Sequence, residues 1–234
     1  GYKPTKDRRE RLTAVKPVIE QSAQRYDALA QSITLHMIPQ AKLVSNGGVS
    51  VTKKEMEDLY DDKLAHAGAS GRQHYDTIKA GARICPLCGQ RTVGTIDHYL
   101  PKTLYPDLAV TPANLIPSCT DCNVTKKSYF PSSSAEHTLH PYYDDFTKEQ
   151  WLYAEVIVGN SPSLVFSVNP PRGWDRVKTE RATRHLDTFR LRELYGIHAG
   201  SLLSGIRLSL QREHRTNGTV GIHKYLQDAA ESQE

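Results

Sequence analysis

The sequence predicts an α+β fold that is mostly helical, with a small core held by four cysteines and a β-hairpin after that core. Three observations support this prediction. Apolar residues recur at helical spacing over residues 6 to about 40 and again after Asp175. Two C-x-x-C pairs lie between these helical regions. Two runs rich in β-branched and aromatic residues then follow, at 151–158 and 164–168.

Composition indicates a soluble globular protein. The 234 residues are 38% hydrophobic and 24% charged, with a formal net charge of +4. These values exclude wholesale disorder, and no run approaches the roughly 18 apolar residues of a membrane-spanning helix. The charged N-terminus lacks the apolar stretch of a signal peptide, so we expect a cytoplasmic protein with no membrane partner. The modest positive charge permits nucleic-acid binding without requiring it.

Three regions are expected: an N-terminal helical region at 1–81, a cysteine core at 82–146, and a hairpin with basic helices at 147–234. The first region begins with a helix whose apolar face packs on the core or on a partner. Pro17 either kinks this helix or marks its start. Residues 41–51 are interpreted as a loop with a turn at Asn46-Gly47-Gly48.

Two further short helices are predicted before the cysteines. Thr52 and Glu55 have the spacing of a capping box, which predicts a helix to about His66. Ser70 and Gln73 repeat this spacing and predict a helix that stops near Gly81.

The four cysteines have the spacing of a tetrahedral metal site. Cys85 and Cys88 form one pair, and Cys119 and Cys122 form the other. Without a secretory signal, disulfides are the less favoured use of these thiols. Four thiolates close the shell of a structural zinc ion and leave no open position for chemistry. An iron–sulfur cluster is the main alternative.

Polar residues of a different kind lie between and beside the cysteine pairs. A short strand is predicted to end at Asp97-His98, and Asn114 follows before the second pair. A helix from Asp121 would place Asn123 and Lys126 on one face. Each residue alone has an ordinary interpretation as a surface, turn, cap or solvated residue, but a zinc site by itself requires none of them.

The combined pattern resembles HNH nucleases of the ββα-metal type with a structural zinc. The resemblance implies that His98 is a general base and that Asp97 and Asn123 hold a catalytic Mg²⁺ or Mn²⁺. Asn114 would fix the His98 ring, through its side chain or its carbonyl. Lys126 would contact the scissile phosphate or stabilise its developing charge.

Two residues outside this pattern are weaker candidates. Lys102, in HYLPK, could reach a phosphate. His140, in LHPYYDD, could orient or cap the site, and the alternative is that this segment only packs aromatic side chains over the core. Packing is the favoured interpretation for Tyr142 and Tyr143.

The C-terminal region is predicted to be a hairpin followed by basic helices. Asn217-Gly218 breaks the last helical pattern. Residues 171–215 hold ten Arg and Lys against five Asp and Glu, an excess of +5. This excess is either a solvated helix face or a surface for phosphate backbones.

A wider resemblance to bacterial HNH proteins of the PtuB type rests on DHYLPK, NLIPSCTDCN, LHPYYDD and the Trp-containing hairpin. It implies an effector of anti-phage defence that acts beside an ABC/SMC-like ATPase, PtuA. The 234-residue sequence contains no GxxxxGK[ST] phosphate-binding loop, so we expect any ATP dependence to come from such a partner. DNA is the expected substrate. The alternatives are an RNA nuclease, for example of tRNA, and a non-catalytic zinc-stapled adaptor or nucleic-acid-binding subunit.

Overall fold

A computed structural model describes residues 6–159 and 163–232. It is 54% helical with small antiparallel sheets, which confirms the α+β prediction. Among the described residues, no helix combines the length and apolarity needed to cross a bilayer. The described residues form two compact units: unit 1 comprises 6–151 and 170–191, and unit 2 comprises 152–159, 163–169 and 192–232. The N-terminal region and the cysteine core therefore belong to one unit.

Helix α1 spans Lys6–Gln31 and contains Pro17, which neither starts nor ends it. Val15 is fully buried in a cluster with Val44, Val51, Met56 and Ala109. The apolar face of α1 therefore packs on the core of unit 1. Packing on the core was one of the two predicted alternatives, and packing on a partner was the other.

A hairpin occupies the segment predicted to be a loop, so the loop prediction was wrong, whereas the predicted turn at Asn46-Gly47-Gly48 is confirmed. Strands β1 (Leu43–Asn46) and β2 (Val49–Thr52) pair antiparallel. Gly47 and Gly48 connect them with φ of 54° and 81°. A two-residue connection with both φ values positive is the preferred hairpin turn, because its twist matches that of the strands.

Helix α2 (Lys53–Tyr60) begins at the predicted capping box of Thr52 and Glu55. Arg11 of α1 forms a 2.6 Å ion pair with Glu55 and lowers the pKa of that carboxyl to about 2. A π-helical turn, Asp61–Ala65, continues α2 to the predicted end. This ion pair and the capping box fix the start of α2 against α1.

Helix α3 (Arg72–Ala80) ends at Gly81 as predicted. The predicted cap was wrong: Gly71, not Ser70, is the N-cap, and it makes no side-chain cap bond. The turn that precedes α3 places Gly71 against the carbonyl of Lys63, where its N–H donates a 2.9 Å hydrogen bond.

Strands β3 (Thr95–His98) and β4 (Leu115–Ser118) pair antiparallel, and helix α4 (Thr120–Lys126) follows directly. The predicted strand into Asp97-His98 and the predicted helix after it are both confirmed. Ile96 and Leu115 join Tyr60 and Tyr75 in a second buried cluster, which packs the region before the cysteines onto this two-strand and one-helix element.

Helix α5 (Arg176–Thr188) completes unit 1 and begins with Asp175 as its cap. Its buried residues include Arg181, which donates a 2.8 Å hydrogen bond to Asp144. One of the ten basic residues in 171–215 is therefore a buried structural group and cannot contact a phosphate backbone.

Unit 2 contains strands β5 (Leu152–Ile157) and β6 (Ser163–Val168) and helix α6 (Leu191–Glu231) from Arg192 onward. The two strands predicted for the hairpin pair antiparallel. The predicted break in the last helical region is also found, because Gly218 has a non-helical φ of 64° and ψ of −153° inside α6. Tyr195 packs edge-on against Phe166 at 5.5 Å. Among the described residues of unit 2, only Leu194 and Gly221 are buried.

Candidate functional site

The four cysteines converge in the structure as the spacing predicts. Cys85 and Cys88 lie on a turn in which Gly89 takes a φ of 63° and donates to the Cys85 carbonyl at 2.8 Å. Cys119 is the N-cap of α4, and its Sγ accepts from the backbone N–H of Cys122 at 3.4 Å. All four are buried and free of disulfides.

The arrangement of the thiols fits a metal ion such as zinc. The four Sγ atoms lie within 4.8 Å of one another, and Cys88 and Cys119 are 4.0 Å apart. Zinc–sulfur bonds of about 2.3 Å in a tetrahedron require sulfur separations of about 3.8 Å. The thiols of Cys122 and Cys85 lower the pKa of Cys88, whereas the pKa values of Cys85 and Cys122 in the same cluster are raised.

His185 of α5 supports the first cysteine turn. Its Nε2 donates to the carbonyl of Leu87, which lies between Cys85 and Cys88, at 2.7 Å. Its Nδ1 accepts from the N–H of Leu139 at 3.2 Å. Burial lowers the pKa of His185 to about 4, which keeps the ring neutral and able to fill both roles. The sequence analysis missed this residue because its partners are distant along the chain.

Asp97 of β3 and Lys126 of α4 form a buried ion pair. The Lys126 Nζ lies 3.0 Å from Asp97 Oδ2 and 2.6 Å from the carbonyl of His98. Both side chains are less than a tenth exposed. Burial raises the pKa of Asp97 and the ammonium of Lys126 opposes that shift. Helix α4 is therefore tied to the end of β3 by charge as well as by the cysteines.

The imidazole of His98 is held by a backbone carbonyl. Its Nε2 lies 2.8 Å from the oxygen of Ala109. Because a carbonyl only accepts, Nε2 carries the proton and Nδ1 is the unprotonated nitrogen. Burial lowers the pKa of His98 to about 3, so the ring is neutral near pH 7. The ring of Tyr60 packs against it, with centroids 4.4 Å apart.

Asn114 organises the loop that carries Ala109. Its amide accepts from the N–H of Leu100 at 2.7 Å and donates to the carbonyls of Leu100 and Leu108 at 3.0 and 3.2 Å. Its own carbonyl accepts from Tyr99 at 2.8 Å. The expected contact with the His98 ring is made instead by Ala109, and Asn114 acts on that ring through the loop.

Asn123 lies one helical turn before Lys126 on the face of α4 that meets β3. Its Nδ2 donates to the carbonyl of Ile96 at 3.4 Å, next to Asp97 in the strand. A carboxylate and an amide oxygen are hard donors that suit Mg²⁺ or Mn²⁺. This donor set fits such an ion, provided that the ammonium of Lys126 withdraws from Asp97.

The two weaker candidates have other partners. Lys102 forms a 2.5 Å ion pair with Asp61, and its Nζ lies 4.5 Å from the centre of the Tyr60 ring. His140 is buried, bonded to the hydroxyl of Tyr26 at 2.9 Å and stacked near Tyr99 at 4.3 Å. His140 therefore belongs to an aromatic cluster beside the site.

The nearby tyrosines also hold backbone and helices together. Tyr142 donates to the carbonyl of Leu115 at 2.8 Å, and Tyr143 donates to Asp27 of α1 at 2.7 Å. These contacts match the packing role expected for both residues.

Sequence comparison finds two curated relatives. The chain is 34% identical over 163 residues to protein Ea31 of Escherichia phage lambda, which covers 67% of this chain and 55% of that protein. It is 37% identical over 60 residues to the Septu protein PtuB of Bacillus thuringiensis, which covers 26% of this chain and 23% of that protein. The chain thus spans about half of the first relative and about a quarter of the second. No family model and no solved structure matches it.

Proposed function

We propose that this chain is a metal-dependent HNH endonuclease that hydrolyses phosphodiester bonds, with DNA as the preferred substrate. The observation that carries the proposal is the state of His98. Its Nε2 donates to Ala109, its Nδ1 is unprotonated, and it lies directly beside the buried pair of Asp97 and Lys126. A neutral imidazole held in a fixed orientation presents one lone pair that can accept a proton, as a general base must.

In the proposed reaction, Nδ1 of His98 takes a proton from the water that attacks the phosphate. The hydrogen bond to Ala109 keeps the proton on Nε2, so the ring presents its lone pair at Nδ1. Burial lowers the pKa of His98, which leaves the imidazole uncharged before the transfer but also weakens it as a base. Asn114 contributes by holding the loop of Ala109.

Asp97 and Asn123 are the residues that would hold the catalytic divalent cation, Mg²⁺ or Mn²⁺. When bound, the ion would supply a Lewis acid that relieves charge on the leaving oxygen. Lys126 now neutralises Asp97 and holds the His98 carbonyl. In the proposed reaction its ammonium contacts a phosphate oxygen, either with the N–H that these two contacts leave over or after it leaves Asp97.

The cysteine site is proposed to hold a structural zinc ion. Four sulfur ligands leave no open position, so the ion would fix the end of β4 and the start of α4 and take no part in the reaction. Three of the proposed reacting residues depend on that placement, namely Asp97, Asn123 and Lys126.

The likeness to the Septu protein PtuB supports a role in anti-phage defence. We propose that the chain acts with an ABC/SMC-like ATPase, because the resemblance to proteins of the PtuB type implies such a partner. The defence role and the partner rest on the similarity to PtuB, whereas the nuclease proposal also rests on the site.

The test is cleavage by the His98→Ala variant. General base catalysis contributes about 10²- to 10⁴-fold, so we expect a loss of at least about 100-fold with the zinc content unchanged. His74→Ala, at an exposed position of α3, is the matched control and should cleave normally. Duplex DNA, single strands and tRNA should be compared, with and without the ATPase.

A His98→Ala protein that cleaves as well as the wild type would contradict the proposal. So would a wild-type protein that binds nucleic acid but cleaves none of these substrates under any divalent cation. The second result would favour the non-catalytic adaptor.

A further inference from the structure

We infer that Tyr60 is a positioning residue for His98, which deepens the proposed function and rests on it. The two rings have centroids 4.4 Å apart and planes inclined by 66°. This is an edge-to-face contact, the geometry that aromatic rings prefer. Neither the cysteine spacing nor the Asp97-His98 pattern contains this residue.

The contact restrains a motion that the hydrogen bond alone leaves free. The bond from Nε2 to Ala109 fixes one edge of the imidazole. A single hydrogen bond still permits the ring to swing about its side-chain torsions, which would displace Nδ1. The Tyr60 ring fills the space beside His98, so the nitrogen proposed to act as base keeps one position.

Tyr60 is itself held on several sides. It is 6% exposed and packs in a cluster with Tyr75, Ile96 and Leu115. The ammonium of Lys102 lies 4.5 Å from the centre of its ring. Asp61 holds that ammonium in a 2.5 Å ion pair. Lys102 therefore acts here on the tyrosine ring, a different role from the phosphate contact expected of it.

The local backbone is consistent with a positioning role. Tyr60 is the last residue of α2, and the π-helical turn Asp61–Ala65 begins immediately after it. Single π-helical turns are rare and occur often at functional sites. The turn lets Tyr60 point into the cluster while the adjacent Asp61 reaches Lys102.

The experiment compares three variants in the full-length protein. Tyr60→Leu removes the ring and keeps an apolar side chain, whereas Tyr60→Phe keeps the ring. Tyr75→Leu is the matched control, because Tyr75 lies in the same cluster and stacks with Arg72. Each is assayed for kcat and KM on the nucleic acid that the wild type cleaves.

We expect Tyr60→Leu to lower kcat by roughly 10- to 100-fold, because small displacements of a reacting group cost that much. KM should change less than about twofold, since substrate binding is not altered. Tyr60→Phe and Tyr75→Leu should keep a kcat close to that of the wild type. A second readout is the chemical shift of the His98 ring protons, which the adjacent ring should displace in the wild type, in Tyr60→Phe and in Tyr75→Leu, but not in Tyr60→Leu.

Three results would overturn the inference: a normal kcat for Tyr60→Leu, an equal loss for Tyr75→Leu, or ring-proton shifts of His98 that Tyr60→Leu leaves unchanged. These failures differ from failure of the proposed function. If His98→Ala cleaves normally, the nuclease proposal fails whatever Tyr60 does. If His98→Ala is inactive and Tyr60→Leu is fully active, only the role of Tyr60 fails.

Discussion

Unit 1 and unit 2 of this chain differ in how they keep apolar side chains from water. Unit 1 has two clusters of buried residues, the cysteine site and several buried polar groups with partners. In unit 2, among the described residues, only Leu194 and Gly221 are buried. Large apolar side chains such as Ile197, Leu202 and Leu208 are more than 60% exposed there.

This difference shows where the site obtains its rigidity. A proposed general base must hold its orientation, and His98 lies in the unit where packing, charge pairs and the cluster of four cysteines restrict the surrounding backbone. The helices of unit 2 satisfy their backbone hydrogen bonds without burying their side chains. Elements of that kind open locally at lower free energy than a packed core.

Removing the metal from the cysteines should produce the largest effect and should fall on unit 1. Structural zinc sites contribute about 10–16 kcal/mol of binding free energy, which is comparable to the whole stability of a domain, about 5–15 kcal/mol. Chelation, or Cys85→Ser, should abolish hydrogen-exchange protection in β3, β4 and α4. Hydrogen-exchange protection in unit 2 peptides should change little, because this unit has few buried residues whose packing could be lost. Mass spectrometry of exchanged peptides measures both.

Removing Mg²⁺ alone is the control for that experiment and should leave the exchange pattern unchanged. Protection that persists in unit 1 after complete loss of zinc would show that packing alone holds the site, and the contrast between the units would then lose its main cause.

Truncating one leucine to alanine in each unit tests the difference in burial between the units, with an effect on stability smaller than that of metal removal. Leu115 is fully buried in unit 1, whereas Leu208 is 62% exposed in unit 2. Leu115→Ala should lower the free energy of unfolding by about 2–5 kcal/mol, from lost burial and the cavity it leaves. Leu208→Ala should change it by less than about 0.5 kcal/mol. Denaturant unfolding of the two variants gives the comparison.

A large loss from Leu208→Ala would contradict this view of unit 2. It would mean that the exposed leucine is covered in solution, as it would be in an assembly, and light scattering on the same sample would detect such an assembly.

A smaller change in stability is expected at two positions, one in each unit, whose backbones have similar left-handed conformations. Lys127, at the end of α4, has φ 54° and ψ −133°, and Gly218 has φ 64° and ψ −153°. Side chains strain this region, by about 1–3 kcal/mol, and glycine does not. A glycine at such a position removes the backbone strain, but it also raises the conformational entropy of the unfolded chain, which offsets part of the gain in stability.

Lys127→Gly should therefore stabilise unit 1 by about 1 kcal/mol, seen as a higher Tm, and Gly218→Ala should destabilise unit 2. A lower Tm for Lys127→Gly would show that the lysine side chain contributes more than its backbone costs.

Much of the site could be predicted because its signals are local. The cysteine turns, the strand into Asp97-His98 and the helix with Asn123 and Lys126 each depend on spacing within a few residues. The β1–β2 hairpin was missed although its signal was present: Asn46-Gly47-Gly48 between alternating apolar residues is typical of a two-residue turn. That error came from interpreting glycines as a loop.

The partners of the proposed reacting groups could not be predicted in this way. No short-range pattern links His98 to the carbonyl of Ala109, because a backbone acceptor has no sequence signature. None predicted that Lys126 would be buried against Asp97, since a lysine at a helix end is ordinarily solvated.

The sequence by itself therefore determined which residues supply the four clustered sulfurs and, in the proposed site, the imidazole, the carboxylate and the amide, and which short elements carry them. The tertiary structure alone decided how the imidazole is held: by Ala109 on one side and by Tyr60 on the other. The physical reason is that side-chain chemistry and local spacing depend only on residues that are close together in the sequence. Orientation instead depends on the packing of α2 and of the Asn114 loop against β3, contacts between segments that are far apart in the chain.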